Sequence, residues 1–243
     1  MIKRGTPPQI QEFRINNLNE YIEIIERIVN RNPNKTIIYR GQSQDKDLLP
    51  SIARYNEKID TTETEKEILE EFKRRSRLKI KLELIDDWDW LIYAQHFGLK
   101  TRLLDWSSNP LVGMWFCCSN KDHWNKDGVI YIFIAEHKHL VDRKLVKSPF
   151  DRNTTRVYKP YLNNERIIAQ SGWFTAHGFS TTAEAFVRLN KNTYLKKQLT
   201  KVFVPMNLKE KLVERLNLMG INYERLFPDI EGICKQLNLE YKL

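Results

Sequence analysis

No apolar run in this sequence approaches the ~18 residues that a bilayer-spanning helix needs, so no membrane segment is expected. The first residues, MIKRGTPPQIQEFRINN, lack the apolar core of a secretory signal. Cysteine is scarce. Cys117, Cys118 and Cys234 have no paired spacing, which argues against a disulfide framework and predicts a reducing, cytoplasmic setting. The adjacent pair Cys117–Cys118 reads as two small buried hydrophobes. Glycine is also sparse, and neither G-x-G-x-x-G nor a Walker A lysine motif occurs, so neither a Rossmann nor a P-loop nucleotide site is expected. There is no G-x-S-x-G elbow, which leaves nucleophilic serine catalysis without support. Among the histidines only His137 and His139 are close. No cysteine or carboxylate pattern accompanies them, so they read as surface residues and no metal site is expected.

The chain does have core-forming residues. Of its 243 residues, 41% are hydrophobic and 11% aromatic, enough for one sizeable domain over residues 1–243. The net charge is +9, unevenly spread: residues 141–201 carry twelve Lys or Arg against four Asp or Glu. Such a segment is either a solvated basic face or a surface that meets the phosphates of a nucleotide or nucleic acid.

Hydrophobic spacing places an amphipathic helix at 17–31, an N-terminal helical extension packed on the rest. The run TIIYRG predicts a buried strand ending at Arg40–Gly41. Thr62 and Glu65 read as a capping box opening a long helix through Leu84. A helix is expected from about Asp87 to Phe97, stopped by Gly98, and a buried one after Asn109–Pro110. GVIYIFIA at 128–135 predicts a central strand, RIIAQ and WFTAHG two short strands, and TKVFVP a further strand. NLKEKLVERLNLMG and FPDIEGICKQL read as helices. Without regular βαβ alternation, the expected class is α+β with a mixed, mostly antiparallel sheet flanked by helices.

Three polar clusters interrupt this pattern. The first is Tyr39-Arg40-Gly41-Gln42. An arginine at the end of a buried strand needs a partner, either an internal carboxylate such as Asp105 or the phosphate or carboxylate of a ligand. The second, Gln95 to Ser107, holds Gln95, His96, Thr101, Arg102, Asp105 and Trp106. Arg102 and Asp105 read equally as a loop-closing ion pair or as ligand groups. Trp106 and Trp115 read as core. His96 is a helix-end cap or an acid–base group. The third cluster, Asn164 to Gly178, includes Glu165, Gln170, Phe174 and Thr175. Gln95 and Gln170 are candidates because a buried amide requires several partners.

These clusters resemble the FRG domain family, named for a Phe-Arg-Gly motif. Here that motif is Tyr39-Arg40-Gly41, followed by LPSIxR ending at Arg54; QHFGLKTRLLDWSSNPLVGMWFC is the strongest block of similarity. RIIAQSGWFTAHG and LFPDIEGI resemble later blocks, which extends the core motifs over about 36–233. Tyr39 replaces the family's phenylalanine, and Gly113–Met114 stands where a small residue and leucine are usual.

The motif order is in turn similar to that of ADP-ribosyltransferases. This more distant resemblance implies a fold of that type, with NAD as substrate and no metal. Arg40 would grip the pyrophosphate or ribose. Ser107 and Asp105 would orient neighbouring groups, Trp106 or Phe174 would stack on the nicotinamide, and Gln170 or Glu165 would support the developing positive charge. Tyr39, Gly41, Gln42, Arg54, Gln95, His96, Thr101 and Arg102 would complete the substrate wall. The implied function is a nucleotide-binding cleft in a toxin or phage-defence effector that modifies nucleic acid or protein. The alternative is a non-catalytic module that binds nucleic acid, through residues 141–201, or a nucleotide signal.

Overall fold

The computed structural model describes residues 9–241; residues 1–8, the start of the expected extension, lie outside the described residues. Its centre is a seven-stranded sheet. In chain order the strands are β1 (Gln11–Arg14), β2 (Thr36–Gln42), β3 (Leu103–Ser107), β4 (Gly128–Ala135), β5 (Arg156–Tyr158), β6 (Gly172–Ala176), β7 (Phe179–Ser180), β8 (Ala185–Phe186) and β9 (Leu199–Val204). The sheet runs β1-β9-β4-β2-β3-β6-β5, with β7 and β8 forming a separate pair. Only β1–β9 is parallel within the sheet; every other pairing is antiparallel. The class is α+β with a mixed, mostly antiparallel sheet.

The helices are α1 (Leu18–Arg31), α2 (Thr62–Ser76), α3 (Asp87–His96), α4 (Pro110–Cys118), α5 (Glu165–Ala169), α6 (Lys209–Leu218), α7 (Tyr223–Leu226) and α8 (Ile230–Glu240). Their starts follow side-chain capping. Asn17, Asp86, Asn109 and Asp229 each accept a hydrogen bond from a first-turn backbone N–H. Gly98 and Gly220 adopt positive φ just beyond α3 and α6, a backbone that glycine tolerates best. Among the described residues no helix is long and apolar enough to cross a membrane.

Strand alternation sorts the core into two faces. On one face, Tyr39, Ile130, Ile132, Val202 and Val204 pack against α1, α4 and α6. On the other, Ile38, Leu104, Trp106, Tyr131 and Phe133 pack under Leu48, Leu189 and Leu195. A third cluster joins Trp88, Leu91 and Ile92 of α3 to Leu103, Phe174 and Ala176. Thus α3 and α4 cover the same face of the sheet side by side.

Four expectations change. RIIAQ is not a strand but α5, capped by Asn164, whose side chain accepts from the Arg166 N–H. The helix expected through Leu84 stops at Ser76, because the next turn has no apolar face to bury: Leu78 is fully exposed. The expected capping box does not form either. Thr61 is the N-cap, and Glu65 is buried away from the helix end, where it meets Arg102. His139, read as a surface residue, is buried and stacks on Phe133.

Candidate functional site

The sheet has a weak seam. Strand β2 pairs with β4 along its whole length, yet touches β3 through one register pair, Tyr39 with Ser107. Beyond it the strands part, and the Arg40 side chain fills the gap, its Nη1 donating to the Asp105 carbonyl at 2.6 Å. Arg40 and the Asp105 carboxylate lie 3.8 Å apart. Burial depresses the Arg40 pKa, and Arg54 adds to that effect while Asp105 opposes it. The Nε of Arg40 is buried without a partner, as is Oε1 of Gln42 two residues on. A buried donor left unpaired is costly, so Arg40 carries an unmet hydrogen-bonding capacity at the strand end.

Gly41 explains why the arginine sits there. A Cβ at position 41 would lie 1.9 Å from the Gly113 carbonyl oxygen and 2.5 Å from the Cys117 nitrogen. The backbone of α4 therefore rests directly on β2. Its apolar residues fix that contact, and the helix leaves Arg40 at the margin it shares with β3.

Two cavities open beside Arg40. The smaller, about 280 Å³, lies over the seam in the angle between α3 and α4. It gathers Tyr39, Arg40, Gly41, Gln95, His96, Asp105, Trp106, Ser107, Gln170 and Phe174. The larger, about 990 Å³, lies beyond the end of β2 and is bordered by Arg40, Gly41, Gln42 and Arg54, with α4 and the α7–α8 region opposite. Arg40, Gly41 and Phe116 border both, so the two are parts of one cleft.

Among the described residues Asp105 is the only carboxylate on the wall of the smaller cavity, and 64% of its side chain is exposed. A directed relay orients it. The Thr101 hydroxyl donates to Oε1 of Gln95, and Nε2 of Gln95 donates to the Asp105 carboxylate at 2.7 Å. His96 is held by Asn164. Because the Asn164 oxygen accepts from the Arg166 N–H, its amide nitrogen faces Nδ1 of His96 at 3.1 Å. Neutral His96 thus carries its proton on Nε2. Burial lowers its pKa, with Arg166 adding to the effect, which favours that neutral form.

Other expected residues have internal tasks. The Ser107 hydroxyl donates to the Gln170 carbonyl at 2.7 Å and accepts from the Asn109 N–H at 2.9 Å. The Gln170 amide donates to the Leu226 carbonyl at 3.0 Å. The Trp106 ring is buried on the opposite face, its Nε1 bonded to Thr175. Tyr39 packs in the core, and burial raises its hydroxyl pKa to about 12. Glu165 is exposed at the start of α5 and borders neither cavity. Arg102 does not pair with Asp105. It is buried against Glu65, with bonds of 3.1 and 2.9 Å, and bonds Thr62 as well. Thr101 is buried behind Gln95. Of the described Lys and Arg residues in segment 141–201, Arg166 and Arg188 alone border these two cavities. Among the described residues no cluster of three or more His, Cys, Asp or Glu could hold a metal ion.

Behind Arg40 lies a buried polar chain in which Thr175 links Trp106 to His177 at 3.0 Å. Burial, reinforced by the positive charge of Arg40, lowers the His177 pKa to about 3. Because folding depresses this pKa from an ordinary ~6.5, the unfolded chain binds the extra proton between those values. His177 therefore adds stability that is complete above pH ~6.5 and is lost as the pH falls toward 3, by roughly 5 kcal/mol in total. Urea midpoints should fall through that window, and His177→Gln should flatten the fall; an unchanged slope would contradict this assignment.

Sequence reasoning missed Lys46, Phe116, Lys121, Tyr223, Phe227 and Lys235, which all border the larger cavity. Phe227 lies within the block LFPDIEGI and Tyr223 just before it, but scattered lysines carry no local signature. Searches of curated proteins and of solved structures return no match. The family model of the FRG domain matches residues 35–126 and ends before the blocks at Gln170 and Leu226. The matched segment holds β2, α2, α3, β3 and α4, and with them Arg40, Gln95, His96, Asp105 and Ser107; it is over this segment that the chain matches the FRG domain model.

Proposed function

We propose that the FRG cleft binds a nucleotide, and that NAD is the ligand whose chemistry it fits best. The observation that carries this reading is the shared wall. Arg40, with a buried unpaired Nε, stands where the two cavities meet, beside Arg54 and within reach of one exposed carboxylate. A pyrophosphate at Arg40 and Arg54 leaves one half of the dinucleotide in each cavity. The nicotinamide riboside belongs in the smaller one, where Phe174 and Phe116 supply apolar surface and Asp105 faces the ribose.

The reaction is ADP-ribosyl transfer. The bond between the ribose C1′ and nicotinamide breaks, and its electron pair leaves with nicotinamide. An acceptor lone pair then forms the new bond to C1′, and the acceptor releases its proton to water. Positive charge develops on the ribose, and Asp105 stabilises it. Gln95 and Thr101 hold that carboxylate in place. Asp105 takes this role because the Gln170 amide is neutral and already bonded to Leu226, and Glu165 lies outside the cleft. Modification of a cell component in this way suits a toxin or phage-defence effector.

Calorimetry should detect NAD binding. Arg40→Ala should weaken it about 10–100-fold, the worth of a charge-assisted hydrogen bond. Asp105→Asn should keep binding but slow nicotinamide release by about 10²-fold. No binding of NAD by the intact protein would overturn the reading. The internal commitments of Ser107 and Gln170 favour a second reading, a non-catalytic receptor for a nucleotide signal. Binding without any nicotinamide release would select it.

A further inference from the structure

We propose that the larger cavity is the acceptor site, and that it holds a single-stranded nucleic acid. This rests on the nucleotide-binding reading of Arg40 and adds the class of acceptor.

The lining of that cavity combines two kinds of side chain. One is cationic: Lys46, Arg54 and Lys121, which among the described residues have no carboxylate within salt-bridge distance. Arg188 and Lys235 also face the cavity, but their charges are engaged by Asp47, Glu57 and Glu231. The other is aromatic: Phe116, Tyr223 and Phe227, each only half-buried. These rings are held rigidly. Trp115 meets Tyr223 edge-on at 4.7 Å, and the Arg166 guanidinium lies 4.4 Å from the centre of the Phe227 ring. Free cations together with rigid aromatic surfaces form a combination that tracks a phosphate backbone while bases stack on the rings. A duplex hides its base faces and cannot use the aromatic wall. An acidic peptide could meet the cations but would leave the rings without partners.

The volume agrees. A cavity of about 990 Å³ stands at the upper end of what one small ligand fills, leaving room for a nucleotide of the strand beside the dinucleotide. Phe116 borders both cavities, so a base stacked on it would sit next to the ribose that Asp105 faces. A base nitrogen is then the nucleophile. It forms the bond to C1′ and loses its proton to water, while nicotinamide departs with the electron pair of the broken bond.

Fluorescence anisotropy without NAD, using labelled octamers of single-stranded DNA and RNA and the same sequence as a duplex, tests the site directly. Single strands should bind at least ten-fold more tightly than the duplex. Three phosphate contacts predict a slope of log K against log salt of about −2. The double variant Lys46→Glu/Lys121→Glu should lose at least ten-fold in affinity with an unchanged melting temperature; both side chains lie on the cavity wall rather than in the core. The DNA and RNA arms decide which strand is the acceptor. No strand binding, equal duplex binding, or full affinity in the double variant would each overturn the proposal, as would ADP-ribose transferred to protein by a chain that binds no oligonucleotide. Strand binding by a chain that fails to bind NAD would leave this site standing and remove the NAD reading alone.

Discussion

Gly41→Ala should leave no folded protein at ordinary temperature. The added methyl would lie 1.9 Å from one backbone atom of α4 and 2.5 Å from another, so no side-chain rotation relieves it. Either α4 lifts from the sheet or β2 bends away. Both break the largest core cluster, which holds Tyr39, Met114, Trp115 and Ile130. A loss of more than about 4 kcal/mol is expected, beyond the range of ordinary single substitutions. Circular dichroism and a thermal melt measure it. Gly113→Ala makes a useful contrast, because its Cβ would come no nearer than 3.0 Å, to the Tyr39 Cβ, with its other neighbours at 3.7 Å or more. It should cost less and leave a cooperative transition. If Gly41→Ala melted like the parent, the direct contact of helix on strand would be wrong.

The second large effect belongs to the buried pair Arg102–Glu65, whose side chains are 1% and 2% exposed. Arg102→Met leaves the Glu65 carboxylate buried without its partner and should cost about 3–5 kcal/mol. Glu65→Leu alone should cost a similar amount, since the guanidinium would keep only Thr62 and the Phe150 and Phe186 rings. The double variant Arg102→Met/Glu65→Leu should recover most of that loss, because a well-packed apolar pair avoids both desolvation penalties. Urea denaturation of the four proteins gives the coupling energy. Additive losses would show that the two groups do not act as a pair. Since Arg102 follows Thr101, these variants also test whether the relay to Gln95 and Asp105 depends on that anchor.

Much of this architecture was legible in the sequence. The β-branched and aromatic runs at 36–42, 128–135 and 199–204 are strands; 128–135 is buried on both faces, while 199–204 alternates between buried and half-buried positions. Asn109–Pro110 opened α4, and Gly98 closed α3, through local chemistry that needs no tertiary context. RIIAQ misled because five residues with two isoleucines suit either state. The Asn164 cap, not the propensity, settled it as a helix. The partner of Arg102 was out of reach for another reason. Glu65 lies 37 residues away, and spacing within a motif cannot reveal a partner in a different element. The site divided along the same line. Arg40, Gln95 and Asp105 stood out as polar residues at the ends of apolar elements. Lys46, Lys121 and Tyr223 stood in ordinary surface contexts, and only the folding of α7 and α8 toward β2 brought them to one cavity.

The single register pair between β2 and β3 has a mechanical consequence. On one side lie β1, β9, β4 and β2, and on the other β3, β6 and β5, so along the sheet the two leaves meet through one register pair and one guanidinium, with Ile38, Leu104, Trp106 and Phe133 packed across the join on one face. A ligand that draws Arg40 onto its phosphate takes away the guanidinium and leaves the register pair. On the proposed reading of Arg40 the binding group and this latch are the same side chain, so occupancy of the cleft would act on the join between the leaves.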